Sequence, residues 1–409
     1  MTATRRVATI TLLAVGWLVA AALLWRTRVP GDLNLRSLDP ARYVDAAELH
    51  RSRHYEGVLR ALYVGGLLAQ LVVVTGLALG APRVRLRGGA VVRGVQLALI
   101  AFALAWLVQV AFGLVALWWR RRYGIARAGY LEVFVGQWFT VLAGAALLAA
   151  AVAVLMVLAR RLRQRWWLAG AVVVAALGTL YVVVEPLVLS PRFEPLRNRA
   201  VAEEIETLAR RVGVGDIDLR ERKAHERTRE VNAGVVGIGP TRRLVLWDTL
   251  LEGRFDRREI RVLAGHELAH VTGRHIWKGL GWFLLVVVPC VWVVDRTARL
   301  RGGLGRPEAV PAAIAAGLAL ALVLTPAIGL IGRRYEAEAD WMALETTRDP
   351  AAMRSLFQKL AVVNLDDPDP PRGWELTFAT HPSIVRRIAM AEAWARRHGR
   401  PLPPPRRAP

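Results

Sequence analysis

Residues 266–270 read HELAH, which sets His266 and His270 four positions apart with Glu267 beside the first. On an α-helix a step of four turns about 40° past one full turn, so both imidazoles leave one face and can grip one metal ion. Glu267, roughly 100° further round, flanks that ion and can take a proton from a water bound there. The chemistry is that of a zinc site that activates water. An amphipathic helix with two stray histidines is the plainer alternative, and the surroundings weigh against it. Ile260, Val262, Leu263, Leu268 and Val271 recur at helical spacing, while Asp256 at the start and Arg274 and His275 at the end suit a helix dipole.

Two histidines leave a catalytic zinc one protein ligand short, since such sites use three and keep a fourth position for water. The run RRYEAEADWMALE, directly after an apolar stretch, places Glu336 and Asp340 on one helix face and turns Glu338 elsewhere. Glu336 is the expected third ligand of a single Zn2+. Asp340, one turn on, is placed to hydrogen-bond a ligating histidine and orient it. His381, with Pro382, opens the last expected helix and either caps it or donates to a developing oxyanion. His275, about 140° round a continuous helix from His270, and His225 and His398, in charged surroundings, are expected not to be ligands.

These residues need elements to hold them. The 409-residue chain is 54% hydrophobic yet carries a formal charge of +23, a pairing typical of a membrane protein with basic loops. The charge is nearly all arginine, spread over loops on both faces, with only Lys223, Lys278 and Lys359 as lysines, so a nucleic-acid partner is not expected. The single cysteine, Cys290, excludes an intrachain disulfide and a multi-cysteine metal site.

Seven apolar spans are expected, at 7–25, 61–81, 94–119, 131–158, 166–189, 276–294 and 309–331, each near or above the ~20 residues that cross a bilayer. A short helix is expected near 44–53, with His50 and His54 on a solvated face. Polar residues inside spans, Gln70, Gln96, Gln109, Gln137 and Glu185, are expected to face the bundle interior. Between the fifth and sixth spans lie an amphipathic helix (198–212) and strand-like runs IDLRE, VNAGVVGI and RLVLW. A hairpin there can offer an edge strand to an extended peptide, or Asn232 and Gly234 only shape a turn.

The chain thus divides into 1–189 (five membrane helices), 190–275 (soluble catalytic segment), 276–331 (two membrane helices), 332–400 (C-terminal helices with the third ligand) and a 401–409 disordered tail. The last part is expected as a helix near 350–363, an acidic proline-rich loop DDPDPPRG and a helix from Pro382 to Arg397. Two crossings separate HELAH from Glu336, so both belong to one membrane face. The fold class is mainly α and polytopic, with seven transmembrane helices and a zincin-like soluble region.

EPLVLSPRFEPL, VNAGVVGIGPTRRLVLWDTLL, AGHELAHVTGRH, RRYEAEADWMAL and THPSIVRRI, in this order, resemble the type I CAAX prenyl endopeptidases, integral-membrane zinc metalloproteases with seven spans. The resemblance covers most of the chain from about 180 onward and, more weakly, the five helices before it. It implies a gluzincin-type zinc endopeptidase with His266, His270 and Glu336 as ligands, Glu267 as general base and Asp340 as a ligand's partner. It further implies His381 as transition-state stabiliser, Asn232 and Ala233 on a substrate-aligning edge strand, Arg387 near the site, and a chamber within the bundle. The partners it implies are a peptide or protein substrate, lipid-modified or membrane-embedded, and the bilayer itself. Bacterial quality-control membrane proteases share the zinc motifs but typically have fewer spans. A seven-helix transporter or an inert scaffold with an incidental HExxH is the non-enzymatic alternative. The arginine distribution leans towards a cell-membrane protein with its active site on the cytoplasmic side.

Overall fold

A computed structural model describes residues 3–189 and 193–405. The side chains of 185–189 lie outside that description, Glu185 among them, as does the stretch 190–192 within the EPLVLSPRFEPL run.

Helix α1 (Ala3–Trp25) is followed by an irregular segment and then by α2 (Ala46–Gly80), α3 (Ala90–Arg122), α4 (Tyr130–Gly136), α5 (Trp138–Leu162) and α6 (Trp166–Leu189). The short helix and second span expected separately are one 35-residue helix, begun by Asp45, whose carboxylate accepts the Ala47 N–H. Hydropathy changes midway along it, but no proline interrupts the backbone, so helical hydrogen bonding continues through both halves. At 1.5 Å per residue it is about 50 Å long against roughly 30 Å of hydrocarbon, so its polar end projects beyond that thickness.

Six stretches are long and apolar enough to cross a membrane among the described residues. The fourth, Tyr130–Val184, runs through 55 residues and contains both α5 and α6. A 3-10 turn, Arg163–Arg165, folds them into a hairpin, with Leu155 of α5 lying against Gly170 of α6. Divided there, the spans number seven, and the protein is a multi-pass membrane protein.

The soluble segment carries β1 (Glu194–Pro195), α7 (Arg199–Arg211), β2 (Asp218–Arg222), β3 (Ala233–Val236) and β4 (Arg243–Trp247). The four strands order β1-β2-β4-β3, with β2 and β4 parallel and the outer pairs antiparallel. Among the described residues strand β3 therefore ends the sheet, pairing only with β4 from Ala233 opposite Leu246 to Val236 opposite Arg243.

Helix α8 (Arg257–Thr272) starts from a reciprocal cap in which Asp256 accepts the Glu259 N–H and Glu259 accepts the Asp256 N–H. It ends at Thr272, three residues earlier than the pattern suggests, with Gly273 as its C-cap, and Arg274 adopts a left-handed conformation before α9 (His275–Arg299) begins. Helix α10 (Val310–Thr347) is a single 38-residue helix, so the expected boundary at 331/332 falls inside one rigid element. Then follow α11 (Pro350–Asn364), α12 (Arg372–Thr377) and α13 (Ile384–Arg397).

The largest core packs α7, α8, α11 and α13 against β4 and the site end of α10, through fully buried Leu268, Leu344, Met353, Ile388 and Trp394. A second core, within the membrane bundle, joins Val152 and Met156 of α5 to Val287 and Val291 of α9.

Candidate metal centre

Helix α8 lies along the site end of α10, and Gly265 sets how closely. A Cβ on Gly265 would stand 3.2 Å from the Thr347 methyl and 3.8 Å from the Ala343 Cα, so a residue without a side chain lets the two backbones approach. That approach brings His266 and His270 up to Glu336. The Nε2 atoms of the two histidines are 3.1 Å apart, and Glu336 places Oε2 3.2 Å from His266 Nε2 and Oε1 3.4 Å from His270 Nε2. One ligand atom from each of the three lies within 4.8 Å of the others.

The outer nitrogen of His266 is already taken. Its Nδ1 lies 2.9 Å from Asp340 Oδ1, and that carboxylate, 1% exposed, is held by a two-pronged Arg387 at 2.6 and 2.8 Å. Arg387 in turn rests its guanidinium 4.1 Å over the Phe357 ring. With Nδ1–H donating to Asp340, His266 Nε2 presents a lone pair inward. Glu336 Oε2 is buried there without an aligned donor.

The charge balance of this spot attracts a cation. Burial and Arg387 oppose a proton on His266, yet hydrogen bonds to Asp340 and Glu336 prevail and raise its pKa to about 10. Burial, with His266 beside it, lowers His270 to about 3. The carboxylates that favour this second proton would favour a divalent cation in its place, and with the cation there Nε2 carries no proton. Two nitrogens and a carboxylate are a donor set for a borderline divalent metal, so the residues present fit one.

Glu267, on the flank of the three, is 8% exposed, and burial pushes its carboxyl above the ordinary range. Its Oε2 accepts the Val235 N–H at 3.2 Å. Strand β3 explains that contact. Asn232 C=O accepts the Trp247 N–H of β4, so by antiparallel alternation Gly234 and Val236 face β4, and Ala233 and Val235 face the open edge. The Ala233 N–H is covered by Asn232 Oδ1 at 2.8 Å. Sequence reasoning named Asn232 and Ala233 and passed over Val235; the period of two along the strand was the signal for it.

His381 comes to the same place by a different route from the one expected. Helix α13 starts at Ile384, with Ser383 as its N-cap, so His381 is outside the helix end. The loop before it is anchored by Arg333 of α10, which donates to the carbonyls of Glu375 and Ala379. His381 Nε2 then stands 3.5 Å from Glu336 Oε1, while Nδ1 contacts the Thr380 hydroxyl at 3.0 Å. Part of the expected acidic loop is helix α12, whose Trp374 shares a cleft with the metal-binding group.

That cleft, of 640 Å³, runs from His266, Glu267 and Glu336 along the open edge of β3 to Glu230 and Asp366. Glu56 and Arg60, on the projecting end of α2, close its far side. His275 is not among the three converging ligands, but its ring contacts His270. His225 pairs with Asp248 and His398 stacks on Trp394, both away from the cleft.

Residues 195–395 match peptidase family M48. The matched stretch contains the whole candidate centre. The chain is also 34% identical over 222 residues to "Uncharacterized metalloprotease YhfN" of Bacillus subtilis, covering 51% of this chain and 52% of that protein. It is 28% identical over 197 residues to "CAAX prenyl protease 1 homolog" of Dictyostelium discoideum, covering 42% and 43%. The chain spans about half the length of these curated relatives. The S. mikatae Ste24p crystal structure superposes with a TM-score of 0.75, covering 93% of this chain and 97% of that one at 16% identity. The likeness of fold therefore extends through the five front helices, well beyond residues 195–395, and the resemblance carried by the motifs holds.

Proposed function

We propose that this chain is an integral-membrane zinc endopeptidase of the CAAX prenyl protease kind, gluzincin in type, with one Zn2+ held by His266, His270 and Glu336. The observation that carries this is the convergence of two imidazole nitrogens and a carboxylate on one point, with Glu267 and the outer edge of β3 on the same cleft. The match of residues 195–395 to a peptidase family and the metalloprotease relatives support it.

Zinc bound there supplies an acidified water and an electrophile for the scissile carbonyl. The chain's own groups do the rest. A peptide extended along β3 pairs its backbone with the outward groups of Ala233 and Val235, which fixes its register, and Asn232 borders its path. Glu267, with its raised proton affinity, accepts a proton from the attacking water and hands it to the leaving amine. His381, across Glu336 from the other histidines, donates to the oxygen on which negative charge develops. Arg387 and Asp340 hold His266 in the tautomer that leaves Nε2 free.

The substrate we propose is a membrane-proximal peptide bearing a lipid or an apolar anchor. Next to the cleft, sharing Glu56, Arg60 and Trp374 with it, is a 470 Å³ pocket between α2, α3 and α12, lined by Leu62, Phe112, Phe378 and Gln109. Such a pocket suits an apolar chain beside a peptide backbone. We place the protein in the cell membrane with the cleft on the cytoplasmic face.

The test is cleavage by the purified protein in detergent of a fluorogenic peptide with and without a farnesyl group. Wild type should turn over both, the farnesylated one with the lower KM. Absence of stoichiometric zinc together with no cleavage of either would refute the proposal.

A further inference from the structure

The contacts around His266 have a counterpart around His270 that runs through a residue outside the metal-binding set. His275 Nδ1 lies 3.0 Å from His270 Nδ1, and His275 Nε2 lies 3.0 Å from Glu338 Oε2. Glu338, 2% exposed, also accepts from Lys278 Nζ at 3.1 Å and from the Arg28 N–H at 2.9 Å. We infer that His275 and Glu338 are positioning residues for the second histidine ligand, forming a relay from Glu338 through His275 that fixes the tautomer and ring plane of His270.

The proton count admits one arrangement. His270 must leave Nε2 bare towards Glu336, so its proton is on Nδ1 and points at His275. His275 Nδ1 must then accept, which puts the His275 proton on Nε2, where Glu338 accepts it. Every member is satisfied, and the chain ends on a carboxylate neutralised by Lys278.

The backbone is shaped to allow this. Were α8 continuous to His275, that ring would point about 140° away from His270. Instead α8 stops at Gly273, Arg274 takes φ 55°, and α9 begins with His275 folded back over the end of α8. A Cβ at Gly273 would fall 2.4 Å from His275 Nε2, so this fold-back requires glycine there. The ring is then clamped by Tyr335, stacked at 4.8 Å with planes 9° apart.

Helix α10 thereby serves the centre three times within five residues. Glu336 faces the metal, Asp340 on the same face holds His266, and Glu338, roughly 200° round from Glu336, reaches His270 only because α9 carries His275 to the other side.

This inference rests on the zinc endopeptidase reading, and measuring zinc affinity directly separates the two. Zinc competition against a chromogenic chelator is run on the full-length protein in detergent, with thermal unfolding of each zinc-loaded sample in parallel. Zinc binding by wild type without any peptide cleavage would count against the function, not the relay. His275→Ala should raise the zinc Kd by 10–100-fold. His275→Gln, whose amide offers an acceptor and a donor in one side chain, should recover most of that loss. Glu338→Ala should weaken zinc alone but add little in the His275→Ala background, because the two act in series. Should His275→Ala not fold, Glu338→Gln against wild type still decides, with a several-fold rise in Kd expected. Unchanged zinc affinity in His275→Ala or Glu338→Gln, or a Gln variant no better than Ala, would overturn the relay.

Discussion

Glu267 illustrates how burial sets a task for a side chain. Its carboxyl is desolvated on the flank of the histidine pair, and its one backbone donor comes from the strand that would align a peptide. Glu267→Gln keeps the shape and the Val235 contact but cannot take a proton. The expected result is zinc binding equal to wild type with kcat lowered by about 10²–10⁴-fold; a variant that still turned over at the wild-type rate would exclude Glu267 as the base. Asp366, at the opposite end of the cleft, is raised to about 7 by burial, with Glu56 and Glu230 adding to it. A folded pKa above the unfolded value favours the folded state while the group is protonated. That contribution is complete below about pH 4 and is lost as pH rises through 7. Asp366→Asn should therefore gain stability over wild type at pH 8 and gain less at pH 5. Thermal unfolding at the two pH values checks the sign, and a larger gain at pH 5 would contradict it.

Strand β3 and the pair α8 and α10 carry the geometry at the scale of elements. The Val235 N–H points away from β4, so Val235→Pro removes a donor without breaking the ladder. The substitution should leave zinc content intact and raise KM for an extended peptide several-fold; an unchanged KM would mean that peptides do not use this edge. Gly265→Val inserts bulk where only 3.2 Å separates the new carbon from Thr347, at a cost of about 1–3 kcal/mol, and should also weaken zinc by moving Glu336 away. Much of this was legible in the sequence, because the signals are local. The four-residue spacings within HELAH and from Glu336 to Asp340 each define a helix face regardless of context. What escaped depended on where helices stop or continue. The α8 pattern runs on to His275 without an evident stop, and only the glycine at 273 hints at the break that turns this histidine back on His270. The polar start of α2 hid its continuity with a membrane span, since hydropathy reports environment and not backbone. Helix α12 was masked by the prolines just before it, and β1, two residues long, has no period to detect.

At the scale of the molecule, the site depends on two chain segments reaching the same membrane face by different routes. The end of α1 is tied to α10 beside the site, with Tyr335 donating to the Leu24 carbonyl at 2.8 Å and Arg334 to that of Trp25 at 2.7 Å. On the other face α9 leaves at Arg299 and α10 returns from Val310, and the buried Asp295 ties Trp166 and Arg299 together near that turn. If α5 and α6 each cross once, the parity is fixed. Loops 81–89, 163–165 and 300–309 share one side, and residues 193–274 and 348–405 share the other. In a Cys290→Ala background, which removes the single native thiol, a cysteine at exposed Glu226 and another at exposed Arg400 should react with an impermeant maleimide from the same side of sealed vesicles. A cysteine at exposed Arg87 should react only from the opposite side. Labelling of positions 226 and 400 from different sides would separate His266 from Glu336 by a bilayer, and no zinc could then bridge them. Labelling of both from inside right-side-out vesicles only would place the cleft in the cytoplasm.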